Sequence, residues 1–134
     1  MQTFLPFPEF ARCASVLDRQ RLGKQRVECK QIILALTDPA YGWKHHPATK
    51  MWRGHVGQLA IYGATMCAEW MKRGYQDSLL QFFCERIQPA EPLPAWIGDE
   101  RVHASHRSAL LRKLPEHYQQ FGWQCDTPEY YWPV

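Results

Sequence analysis

The stretch Asp18-Arg-Gln-Arg-Leu-Gly-Lys-Gln-Arg-Val-Glu28 sets Glu28 among a crowd of cations. Wound at 3.6 residues per turn, Arg21 and Glu28 fall about 20° apart in projection and about 10 Å apart along the axis, with Lys24 and Gln25 between them. The opposite sector carries Leu22, Cys29, Ile33 and Leu36, the rhythm of a helix that packs one face inward. The polar stripe is therefore expected to face out. Such a stripe is either a salt-bridged surface, worth about 0.2–0.5 kcal/mol per pair, or a site. Gly23 costs the middle of this helix about 1 kcal/mol relative to Ala, so a start after Gly23 is the alternative.

Working outward, 134 residues suit a single domain over 1–134, and 46% hydrophobic with 22% charged residues is the balance of a globular chain rather than a disordered one. A net charge of +3 is mild, so any affinity for a polyanion has to come from clustering. Arg19, Arg21, Lys24, Arg26 and Lys30 do cluster, within twelve residues. Five scattered cysteines with no Cys-x-x-Cys pair point to reduced thiols. With no basic start and no apolar run at the N-terminus, and no span-length apolar segment, a soluble cytoplasmic protein is expected.

Pro6 and Pro8 predict an extended arm over the first eight residues, with Phe4, Leu5, Phe7 and Phe10 laid on the core. A short helix over Glu9 to Val16 leads into the long one, which Thr37-Asp38-Pro39 stops. After the loop Tyr41 to Pro47, the spacing of Trp52, Val56, Leu59, Gly63, Met66, Cys67 and Trp70 predicts a buried central helix, closed by Lys72-Arg73-Gly74. Asp77 or Ser78 caps a short helix through Ile87. A further helix is predicted over Asp99 to Leu114, with Val102, His106, Ala109, Leu110 and Lys113 on its inner face, and the tail from Pro128 is aromatic and not helical. No stretch alternates as a strand does. The fold class is all-α, a compact bundle of three main helices with short extras.

His45 and His46 adjoin, and His103 and His106 stand at i, i+3, a spacing that can place two imidazoles on one metal. A mononuclear site needs three or four convergent ligands, so contact with phosphate, together with Arg107, or the capping of a polar pocket is the better reading. No phosphate loop, nucleophile elbow or His-Glu-x-x-His is present, and neither a metal nor another cofactor is expected. Trp52 belongs to the core by its period. Trp43, Tyr130, Tyr131 and Trp132 are open between core and stacking on unpaired bases.

Gln20-Arg21-Leu22 with Glu28 six residues on, Cys67-Ala-Glu-Trp-Met-Lys-Arg-Gly-Tyr75, the His103-Ala-Ser-His106 helix and the Tyr130-Tyr131 tail occur in an order and spacing that resembles the pyrimidine-dimer DNA glycosylases of the phage endonuclease V type, most of all a bacterial branch of small proteins. The resemblance runs nearly end to end. It implies an endonuclease V-like all-α fold and a monomer. It also implies binding of double-stranded DNA with a lesion, and DNA repair by a glycosylase with AP lyase activity through an imine. Glu28 matches the family's essential Glu. Gln20, Arg21, Lys24, Arg26, His103, His106 and Arg107 are the expected DNA contacts, guanidinium being suited to bidentate phosphate binding.

The departure is at the N-terminus, which reads Met1-Gln2-Thr3 where the phage enzymes expose a Thr followed by an Arg. A residue as large as Gln2 is expected to block removal of Met1. The amine of Met1 is then the nucleophile, with Lys24 as the rival. A DNA-binding protein of this fold without catalysis, and an enzyme acting on another modified base, stand as the alternatives.

Overall fold

The computed structural model describes residues 1–134, and its only regular elements are helices, with no strand. In chain order it has α1 (Phe10–Val16), α2 (Arg19–Thr37), α3 (Pro47–Lys50), α4 (Val56–Lys72), α5 (Leu80–Cys84), α6 (Glu100–Lys113) and α7 (Pro115–Tyr118), followed by one 3-10 turn, Gln119–Phe121. No helix is long and apolar enough to cross a membrane.

The basic helix α2 starts at Arg19, before Gly23, because the Asp18 side chain accepts the backbone N–H of Arg21 and caps it. Gly23 is tolerated because Trp70 of α4 lies on it: a Cβ there would come within 3.1 Å of the indole ring. The glycine that weakens α2 in isolation thus lets α4 approach. Leu22, Cys29, Ile32 and Ile33 of α2 are fully buried against Leu59, Tyr62, Met66 and Cys67 of α4. On the far side of α4, Gly63 admits the ring of Phe83, which a Cβ would meet at 2.5 Å.

The central helix is shorter than its hydrophobic period suggests. It begins at Val56, and Trp52 lies in the turns before it, since Gly54 takes φ +86° and breaks the run. Trp52 is still fully buried, with its indole N–H donating to Thr3 Oγ1 at 2.9 Å. Likewise α5 is five residues long and stops at Cys84, short of Ile87. Pro47 opens the separate short helix α3, α6 starts after Asp99 close to where the sequence predicts, and the last twelve residues are not helical.

The N-terminal arm packs on the core through Phe4, Leu5, Phe7 and Phe10 as the sequence predicts, and part of it is buried. Gln2 through Leu5 are 6% exposed or less, and each backbone N–H of these four residues is satisfied by a side chain. An extended segment has no ladder of its own, so burial demands partners from elsewhere. They come from α2 on one side, through Gln25 and Glu28, and from α6 on the other, through His106.

Candidate active site

Between the arm, α2, the end of α6 and the tail lies a cleft of about 280 Å³, lined by Met1, Gln2, Phe4, Gln20, Arg21, Lys24, Gln25, Glu28, Lys113 and Tyr130. Five of these lie on α2 at spacings of one, three and four residues, which is one stripe of a helix. Glu28 Oε2 accepts the backbone N–H of Gln2 at 3.1 Å and the Gln25 amide at 3.4 Å. One further residue of chain spans at most about 3.8 Å, so the amine of Met1 lies within roughly 7 Å of that carboxylate.

Gln25 fixes this arrangement. Its Oε1 accepts the Phe4 N–H at 2.8 Å and sits 2.5 Å from the Tyr62 hydroxyl, while its Nε2 donates to Gln2 O at 2.9 Å as well as to Glu28. Every donor and acceptor of the amide is used, at 1% exposure. Sequence reasoning placed Gln25 on the outward stripe and gave it no role. The structure corrects that: the residue three before Glu28 ties the carboxylate to the arm.

The five clustered cations divide. Arg21 and Lys24 line the cleft, Arg21 leaning on Asp18 at 3.3 Å and Lys24 making no ion pair. Arg19 is exposed near the Tyr75 ring, and Lys30 lies over Phe82. Arg26 is turned inward, 9% exposed, and held by Asp77 at 2.6 Å under the face of Trp70. Burial opposes the charge on Asp77, but Arg26 and the N–H groups of Leu80 and Leu79 outweigh it and hold the carboxyl below its ordinary range. The charge of Arg26, expected to meet phosphate, is matched by this buried carboxylate, while the residue still lines an open groove along α2.

His103 and His106, expected to meet phosphate as well, are 1% and 0% exposed. The Gly98 N–H donates to His103 Nε2, so the ring's proton is on Nδ1 and donates to Leu5 O at 2.7 Å. His106 Nδ1 accepts the Leu5 N–H at 2.9 Å. Complete burial, then the neighbouring His103, push the His106 pKa down to about 3, and it is neutral at physiological pH. Arg107 donates to Pro6 O at 2.7 Å and pairs with Glu100, so it too serves the arm. No set of three His, Cys, Asp or Glu side chains is placed to hold a metal.

Two residues stand in or near the site in roles that the reading of the sequence did not give them. Lys113, assigned there to the inner face of its helix, is exposed in the last turn of α6 and lines the cleft. His46 caps α3 by accepting the Ala48 N–H on Nδ1 at 3.0 Å. Burial first, and then the positive amine of Met1, lower its pKa, with Glu28 acting in the opposite sense, so the imidazole is within electrostatic reach of both. The thiols are not rival nucleophiles at the core: burial pushes Cys13 and Cys67 up to about 12 and Cys29 well above its ordinary value.

A second, open groove of about 770 Å³ along α2 shares Gln20, Lys24 and Glu28 with the cleft. A carboxylate near a primary amine, walled by unpaired lysines and continued by a cationic groove, defines on this fold a small helical protein whose site faces a polyanion. The sequence model of the pyrimidine dimer DNA glycosylase family matches residues 1–81, and the chain belongs to that family. Neither a curated protein nor a solved structure matches the chain.

Proposed function

We propose that the protein is a DNA glycosylase with associated AP lyase activity on cyclobutane pyrimidine dimers, with the amine of Met1 as nucleophile and Glu28 as its acid–base partner. The observation that carries this reading is the hydrogen bond from the Gln2 N–H to Glu28 Oε2, which holds the N-terminus beside the carboxylate in the cationic cleft. Attack needs a near contact of about 3–3.5 Å, and an arm clamped by Gln25 and His106 supplies the orientation.

The amine nitrogen bonds to the deoxyribose C1′ as the glycosidic C1′–N bond breaks, the base leaving with the electron pair. Positive charge grows at C1′ and a carboxylate close by stabilises it. Loss of the amine proton and opening of the sugar give the imine. Removal of a C2′ proton, a step Glu28 is placed to relay, then expels the 3′ phosphate, and water releases the enzyme. Arg21, Lys24 and Lys113 hold the backbone meanwhile.

Borohydride added during turnover of irradiated duplex tests the reading by trapping the imine. A Gly-Ser extension displaces the amine by up to roughly 7 Å and is expected to abolish trapping while leaving DNA binding intact. An extended protein that still traps, with a Lys24→Ala variant that does not, moves the nucleophile to Lys24. Bound DNA without any trapping by the wild type overturns the lyase, and turnover across a panel of modified duplexes tells dimers from other bases.

A further inference from the structure

Trp43 is the one residue other than glycine with positive φ, at +67°, and it is 58% exposed. Bulky side chains are seldom held in the left-handed region, and an apolar ring this large is seldom left in water. Both costs are imposed by fixed neighbours. Lys44 donates its ammonium to the carbonyls of Ala35 and Asp38 at the end of α2, Arg53 donates to Lys44 O at 3.1 Å, and the His46 N–H closes back on Trp43 O at 3.2 Å. A loop anchored on each side of one outlier is preorganised rather than slack.

The ring is also the outer end of a series. Trp43 meets His46 edge-on at 5.9 Å, His46 meets Trp132 edge-on at 5.9 Å, and Trp132 meets Tyr130 at 5.4 Å. Tyr130 lines the cleft that holds Met1 and Glu28. Inner members have aromatic partners on two sides, whereas Trp43 has one and presents the rest of its surface to solvent. The guanidinium of exposed Arg53 sits on the carbonyl of the next residue, Lys44.

Resting on the reading of the cleft as a DNA site, we infer that Trp43 is a stacking platform for an unpaired nucleobase of the bound DNA, placed by the aromatic series at a fixed distance from the amine and Glu28. Every base has a π face, so the platform reads the absence of a partner rather than the identity of the base.

The test uses the full-length protein and two duplexes that carry a tetrahydrofuran abasic analogue, one facing 2-aminopurine and the other facing a second tetrahydrofuran. Wild type is expected to bind the first about tenfold more tightly, at the low end of what base–aromatic stacking supplies, and to quench its fluorescence. Trp43→Ala is expected to bind both alike without quenching, and Trp43→Phe to recover most of the difference. Trp43→Asn, which suits the left-handed backbone, is expected to lose the preference without a lower melting temperature. A Trp43→Ala protein that keeps the preference, or a Trp43→Asn protein that melts well below the wild type, overturns the platform alone. Equal binding of the two duplexes by wild type does the same, and wild type that binds neither overturns the DNA-site reading with it.

Discussion

Two polar pairs at i, i+3 grip the same arm: Gln25 and Glu28 on α2 hold Gln2 and Phe4, while His103 and His106 on α6 hold both backbone groups of Leu5. The α6 pair is sealed, both rings being at most 1% exposed. In the α2 pair one member is sealed and the other, Glu28, opens on the cleft. Equal spacing and equal service to the arm therefore give a sealed clamp in one case and a carboxylate that faces a cleft in the other. What decides is whether solvent reaches the second residue.

The largest expected effect separates the two pairs by chemistry. Glu28→Gln keeps an acceptor for the Gln2 N–H but removes the proton relay, so turnover of irradiated duplex should drop about a thousandfold with DNA affinity and melting temperature preserved. A parallel loss of stability would put Glu28 in the same class as the histidines. His106→Ala is the mirror experiment. It leaves the buried Leu5 N–H without an acceptor and opens a cavity, and urea denaturation should show a loss of about 3 kcal/mol. Activity per folded molecule should be reduced only as far as the arm loosens.

The sealed pair also predicts a dependence on pH. His106 has its pKa lowered to about 3 from an ordinary 6.5, so the folded state resists protonation and the unfolded state does not. Stability present above about pH 6.5 is lost as pH falls towards 3, and denaturation at pH 5 should give about 2 kcal/mol less than at pH 7.5. His106→Asn, which keeps an acceptor without a titrating ring, should flatten that slope. If the slope is unchanged, another group is responsible.

The smallest effect tests how the cations divide. Arg21→Ala should reduce the slope of log affinity against log salt by about one phosphate contact, whereas Arg26→Ala should leave it unchanged and lower the melting temperature instead. Equal slopes for both variants would mean that the cleft does not meet the backbone through Arg21.

Much of this was readable in the amino-acid order, and the failures share one cause. Periodicity located α2, α4 and α6, and the start of α6 at Asp99 was legible, because hydrophobic faces and caps are local. Glu28 was singled out by its setting and does line the cleft. The burial of Arg26, His103 and His106 was not legible because their partners, Asp77 and Leu5, lie 51 to 101 positions away. Lys113 was misplaced because the sequence of α6 does not show that its last turn leaves the core at the cleft. Gly23 looked like a flaw until Trp70, 47 positions on, supplied its reason.

The arm's burial between α2 and α6 sets an order of events in the making of the molecule. Leu5 and its imidazole acceptor are separated by 101 positions, and contacts between such distant parts of a chain are slow to form. While the polypeptide is being synthesised, α2 and α4 can take up Gln2 to Phe4, but Leu5 has no partner until α6 has left the ribosome and stays open to wrong ones over that interval. A product truncated after residue 81 keeps Met1, Gln25, Glu28 and the whole stretch that the family model matches, yet lacks both imidazoles that fasten Leu5. Such a fragment keeps the grip of Gln25 and Glu28 on Gln2 and Phe4 but loses the one on Leu5, so its arm is fastened from one side only.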